Sequence, residues 1–228
     1  MSIIFWDFDG TLVTSGSLWS SSVFKALNDT DSGSGVAFSD VRKCMAVGFT
    51  WHTPEKDYTA YKNEKWWDLM NDYIYRSYLS LGIAEKTARD AAQKVRKIIK
   101  NKENYTLYPD AAETLRFLKI QGHKNIILSN NYPDLCEVIE MLGIDKYFDG
   151  YVISAVEGYN KPRKELFDIA KSCNTNDEPM FMVGDNVTAD ILGGNSAGMT
   201  TVYVHNGFCS EADYCIENLS ELIDIVER

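Results

Sequence analysis

Two carboxylates stand one residue apart in Asp7-Phe8-Asp9-Gly10-Thr11, at the end of a short apolar run. Such a pair at a strand end suits metal-assisted attack on phosphorus, with one carboxylate as nucleophile and the other as proton carrier. The Gly10-Thr11 turn lets backbone N–H groups approach an anion. Taken alone, the run also fits a plain turn or a calcium loop, although calcium asks for a denser oxygen cage than residues 7–11 offer.

Polar groups recur where later apolar runs end. Ser129-Asn130-Asn131 closes one, Lys161-Pro162 follows another, and Gly184-Asp185-Asn186 closes a third, with Asp190 five residues beyond Asp185. Singly, Ser129 reads as a turn residue and Lys161 as a surface lysine. Asp185 alone is a turn or N-cap, and Asp190 an early-helix acid favoured by the dipole. Their recurrence at successive strand ends weighs against the four separate readings. His52, His123 and His205 show no ligand spacing and receive no role.

The elements that must position these residues follow from periodicity. Near-continuous apolar runs predict strands over residues 3–8, 125–129, 151–154, 180–184 and 201–204, buried on both faces as in a parallel sheet. Helical patterns lie at 109–121, 133–142, 164–172, 189–197 and 217–226. Strand–helix alternation beyond residue 105 implies right-handed βαβ units. The expected fold is therefore α/β, a Rossmann-like three-layer core with a parallel sheet. Ligands bind such sheets beyond the C-terminal strand ends, at the switch in strand order.

Residues 15–104 break the alternation. They carry helical patterns at 40–47, 55–81 and 84–101 and no convincing strand, so they read as an all-helical insertion after the first strand. The core is then 1–14 and 105–228. The insertion enters near Thr14-Ser15-Gly16 and leaves near 104–108, with a loop at residues 31–35. Its aromatics, among them Trp66, Trp67, Tyr73 and Tyr78, are expected to form the core of the insertion. Trp51-His52-Thr53, in a loop, has the better claim to face a ligand. The lysine-rich stretch 86–102 reads as a solvated helix face.

The 228 residues are 45% hydrophobic and carry a net charge of −10. That acidity argues against nucleic acid or an anionic membrane as a partner. The N-terminus lacks signal-peptide character, and no stretch is long and apolar enough to span a bilayer. The five cysteines form no CxxC pair and read as reduced packing residues, which suggests a cytosolic protein.

Together the motifs resemble the haloacid dehalogenase-like superfamily: Asp7-Phe8-Asp9-Gly10-Thr11, Ser129, Lys161, and Gly184-Asp185 with Asp190, in the family's order and spacing. The insertion sits where that family places its C1-type cap. The resemblance implies that Asp7 forms an aspartyl-phosphate and that Asp9 protonates the leaving oxygen. It implies that Mg²⁺ is held by Asp7, Asp185 and the Asp9 main-chain carbonyl. Phosphoryl oxygens would be bound by Ser129 and Lys161, with Gly10, Thr11 and Asn130 as further donors. Asn186 and Asp190 would support them from behind, Asp190 orienting Lys161 or metal-bound water. The presence of Asp9 excludes the dehalogenase branch, which lacks the second aspartate. The absence of a lysine after Asp7 excludes the P-type ATPases. The expected activity is a cytoplasmic, Mg²⁺-dependent phosphatase acting on a small soluble phosphomonoester, as a monomer or weak homodimer. The alternatives are a phosphomutase and a non-catalytic binding module.

Overall fold

The computed structural model describes residues 1–227. Strand β1 (Ile3–Trp6) is followed by a two-residue strand β2 (Val13–Thr14) and helices α1 (Leu18–Asn28), α2 (Phe38–Cys44), α3 (Glu64–Ser80) and α4 (Glu85–Ile99). Next come β3 (Thr106–Leu107), α5 (Ala111–Ile120), β4 (Lys124–Ser129), α6 (Leu135–Met141), β5 (Gly150–Ile153), α7 (Ser154–Glu157) and α8 (Lys164–Lys171). The chain continues through β6 (Met180–Gly184), α9 (Gly193–Ala197), β7 (Thr200–Val204), β8 (Tyr214–Ile216) and α10 (Leu222–Val226).

The six-stranded sheet has the order β5-β4-β1-β6-β7-β8 and is parallel throughout. Strand order reverses at β1, so its C-terminal end is the switch point. Alternate residues of β1 enter opposite cores. Ile4 and Trp6 join the face covered by α5 and α6, while Ile3 and Phe5 join the face of α8 and α9. Both sets are fully buried, which is why the run is apolar without alternation. One polar group enters this core with its needs met: Asn125 accepts from Trp6 Nε1 at 3.0 Å and donates to the carbonyls of Leu115 and Tyr147.

Several elements differ from expectation. The helix expected from residue 55 begins at Glu64 (α3). Asp57 instead caps Thr59 through its backbone N–H and hydroxyl, residues Thr59–Tyr61 form a 3₁₀ turn, and Asn63 takes a positive φ of 55°. The helix expected over 189–197 opens as a π-helical segment, Val187–Leu192, before α9. Helix α1 and strand β8 were absent from the periodicity reading. So were β2 and β3, which pair antiparallel at the two ends of the inserted segment (Val13 with Leu107, Thr14 with Thr106). Strands of two or three residues carry no readable alternation.

Trp66, Trp67 and Tyr78 are buried, as the aromatic pattern anticipated. The lysine-rich face is less solvated than expected. Arg96 on α4 grips Asp134, before α6, with nitrogens at 2.7 and 3.2 Å, and also pairs with Glu64. Lys100 stands 3.5 Å from Asp134, and Trp67 Nε1 donates to the same carboxylate at 2.5 Å. Burial raises the Asp134 pKa, but the hydrogen bonds from Arg96 and Trp67 outweigh it and hold the carboxyl below its ordinary range. This clasp fastens the helical segment to the sheet domain. Among the described residues, no helix is long and apolar enough to cross a membrane.

Replacing Asp134 by Ala leaves Arg96 and the Trp67 N–H without their shared acceptor. The expected loss is about 2–3 kcal/mol, read from the midpoint of denaturant unfolding. The stabilisation in the wild type should also fade as pH falls through the carboxylate range, because this group is ionised more readily folded than unfolded.

Candidate active site

Asp7 directly follows β1, and its N–H donates to Val183 O on β6 at 2.9 Å. Its carboxylate lies 2.9 Å from Lys161 Nζ. The Lys161 side chain is only 1% exposed, and it also donates to Asp190 at 2.6 Å and to Leu128 O at 2.7 Å. Burial alone would strip the proton from this amine, but Asp190 and Asp7 reverse that effect and raise its pKa. Asn130 fixes the lysine by its backbone, accepting from Lys161 N–H at 2.7 Å and donating to Lys161 O at 3.0 Å.

Asp9 is held by a separate pair of donors. Ser15 Oγ donates to one of its oxygens at 2.6 Å and Asn131 Nδ2 to the other at 2.8 Å. Burial pushes its pKa up to about 6, and the Asp7 charge adds to the rise against the lowering effect of Ser15 and Asn131. Asp185, after β6, is also pushed up to about 6, first by burial and then by Asp7, with Lys161 opposing. Burial raises Asp190 as well. Both its oxygens are engaged, one by Lys161 and the other by Asn186 N–H at 3.0 Å.

Two glycines make these approaches possible. Gly10 has φ +83°, and a Cβ there would collide with the Asp185 carboxylate. A Cβ at Gly184 would collide with Asp190. One oxygen each from Asp7, Asp185 and Asp190 lie within 4.8 Å of one another. Both Asp190 oxygens are already engaged, so Asp7 and Asp185 are the hard oxygen donors that fit a small divalent cation such as Mg²⁺.

A cavity of about 480 Å³ opens over this centre, lined by Asp7, Asp9, Lys161, Asp185, Asn130 and Asn186 among others. Trp51 and His52 face it, as their loop position suggested. Other expected site residues stand behind the wall. Ser129 is buried at the end of β4, one residue before Asn130. Gly10 acts through its approach to Asp185, and Thr11 is fully buried with its hydroxyl unpartnered among the described residues. Ser15 and Asn131, which hold Asp9, were not singled out from sequence, although Asn131 sits within the quoted Ser129-Asn130-Asn131 run. His205 was also passed over. It has φ +65°, its Nε2 lies 3.0 Å from Thr11 O, and its ring stacks on Tyr108 at 3.7 Å. No spacing rule reveals a contact across 194 residues.

Fold and site together define a Rossmann-like α/β protein with an acidic, lysine-bearing centre at the switch point of its sheet. Residues 1–198 match the model of the haloacid dehalogenase-like hydrolases, and the chain belongs to that family. It is 35% identical over 130 residues to a glyceraldehyde 3-phosphate phosphatase of Pyrococcus furiosus, covering 53% of this chain and 54% of that protein. It is 33% identical over 159 residues to a pyrimidine 5'-nucleotidase of Escherichia coli, covering 66% and 70%. The match to the first relative thus spans about half its length. Among solved structures, a haloacid dehalogenase-type phosphatase from Thermococcus onnurineus aligns with a TM-score of 0.68 at 22% identity, covering 99% of this chain and 97% of that one. A magnesium-bound hydrolase from Bacillus subtilis aligns with a TM-score of 0.75 at 19% identity, covering 100% and 99%. These last two likenesses concern the fold.

The raised Asp185 carboxyl has a consequence for stability. Between about pH 4 and pH 6 the folded chain keeps a proton that the unfolded chain has released, so stability falls as pH rises through that window. Asp185→Asn should therefore stabilise the chain in EDTA at pH 7 by about 1–2 kcal/mol, with no gain near pH 4. Added Mg²⁺ should raise the melting temperature of the wild type and leave the variant unmoved. Thermal unfolding at the two pH values, with and without Mg²⁺, checks both.

Proposed function

We propose that this protein is a Mg²⁺-dependent phosphatase of small phosphomonoesters, working through an aspartyl-phosphate on Asp7. The observation that carries this reading is the division between the two aspartates. Asp7 lies 2.9 Å from the Lys161 ammonium and lines the cavity, while the Asp9 carboxyl, pushed up to about 6 by burial, holds a proton more readily than an ordinary aspartate. One is suited to attack, the other to donate.

An oxygen of Asp7 attacks phosphorus as the bond to the leaving oxygen breaks. Asp9 passes its proton to that oxygen. Water then attacks the phosphoryl group, Asp9 takes a proton from it, and phosphate leaves with Asp7 restored. Lys161 offsets the charge on the phosphoryl oxygens in both steps, whereas the Asn130 amide and the Gly10 and Thr11 N–H groups are occupied within the protein. Asp7, Asp185 and the Asp9 main-chain carbonyl would hold Mg²⁺, which would supply further neutralisation of that charge. Asp190 orients Lys161. In this reading residues 15–104 are a cap over the core of 1–14 and 105–228. The β2–β3 pair would be its hinge, and closure would exclude water during attack. A small soluble substrate goes with a cytoplasmic enzyme in this reading.

Phosphate release from p-nitrophenyl phosphate, in Mg²⁺ and in EDTA, tests the reading. Asp7→Asn should lower kcat by about 10⁴ or more. Activity that survives in Asp7→Asn, or in EDTA, would sink it.

The proton donor predicts a dependence on the leaving group. Asp9→Asn should cost about 10²–10⁴ in kcat on an alkyl phosphate, whose alkoxide needs a proton. On p-nitrophenyl phosphate, whose leaving group is already stable as an anion, the loss should be much smaller. The wild-type rate on the alkyl ester should decline as pH rises past about 6, where Asp9 loses its proton. A pH profile on both esters reads the difference.

A further inference from the structure

A second cavity, of about 300 Å³, meets the first at Asp9, Trp51 and Asn130 and runs along residues 15–20 at the start of α1. Resting on the phosphatase reading above, we propose that it receives the leaving group, and that this group is neutral, hydroxylated and flat or apolar on one face, a sugar or nucleoside rather than a carboxylate or bisphosphate.

Position argues the first part. The proton on Asp9 goes to the leaving oxygen, so the organic part of the ester lies on the side of Asp9 remote from Asp7. The second cavity is the space there, and it is at the small end of ligand pockets, which run from roughly 300 to 1,000 Å³.

The lining argues the second. Among the described residues, no lysine, arginine or histidine lines this cavity. The first cavity has Lys161, already committed to Asp7, Asp190 and Leu128 O, and His52, whose pKa burial lowers, which disfavours the charged ring. The amides are committed too. Asn131 holds Asp9 and accepts from Tyr132 N–H, and Asn130 clamps the Lys161 backbone. A second anion on the substrate would lose its hydration beside three carboxylates and gain no counter-charge.

What the cavity does offer is neutral. Ser17 and Ser20 contribute hydroxyls that both donate and accept. Trp51 contributes a flat wall. Its ring stacks on Phe49 at 4.7 Å and 3°, and on Trp66 at 6.0 Å, so it is held in place before any ligand arrives.

The test compares esters matched in size and differing in charge: glycerol phosphate against phosphoglycerate, and ribose phosphate against ribose bisphosphate. p-Nitrophenyl phosphate serves as the control. For the wild type, kcat/KM should favour the neutral member of each pair by about tenfold or more. Ser17 is exposed at the mouth of the cavity, and Ser17→Arg should shrink the glycerol phosphate preference by about tenfold by adding the missing cation. A wild type that hydrolyses p-nitrophenyl phosphate yet prefers phosphoglycerate or the bisphosphate overturns the inference and leaves the phosphatase reading standing. An unchanged preference in Ser17→Arg removes this cavity from leaving-group recognition. No hydrolysis of any ester, the control included, overturns the phosphatase reading and the inference with it.

Discussion

A buried ammonium sits at the centre of this molecule. Lys161 is withdrawn from water almost completely, which costs several kcal/mol unless its charge is met. Asp7, Asp190 and Leu128 O meet it. Asp7 directly follows β1, Leu128 lies on β4 and Asp190 sits in the π-helical segment that follows β6, so the ion pair forms only when these three strands are side by side. The site therefore depends on sheet order, and a misregistered sheet would leave a lysine and two carboxylates buried and unpaired.

The same charge count sets up the chemistry. Three carboxylates converge and one ammonium opposes them, so negative charge is left over. Burial first, and the neighbouring Asp7 charge behind it, push the Asp9 and Asp185 carboxyls up to about 6 and so favour their protonated forms. A hard divalent cation relieves the excess more fully. The glycines at 10 and 184 belong to this arrangement: each leaves free the space that a neighbouring carboxylate occupies.

Much of this was legible in the sequence because strand-end chemistry is local. Asp7 and Asp185 could be placed at strand ends, and Lys161 before the helix that follows a third strand, from apolar runs and turn residues, although helix α7 lies between β5 and Lys161. What stayed hidden was relational. Ser15 and Asn131 matter because they hold Asp9, Asn130 because it clamps the Lys161 backbone, and His205 because it meets Thr11 across the molecule. None of these residues carries a distinctive type or spacing. The helical segment was read less sharply for a different reason. Its aromatics gave burial correctly, but the start of α3 was set by Asp57 and Asn63, local turn chemistry that overrides a helical pattern.

That segment does more than cover the sheet. Trp66 Nε1 donates to Thr50 Oγ1, and Thr50 Oγ1 reaches the side chain of buried Asn160, the residue before Lys161. The loop that carries Trp51 is therefore tied to the loop that carries the ammonium. Ser15, at the other end of the segment, is tied to Asp9. A change in the helical segment is thus felt at both the Lys161 ammonium and the Asp9 carboxyl. On the phosphatase reading, recognition of the organic half of the ester and activation of its phosphoryl half are coupled through shared side chains, because Asp9, Trp51 and Asn130 line both cavities. An ester that fits only one cavity would meet half of this arrangement, so selectivity should appear in kcat as much as in KM.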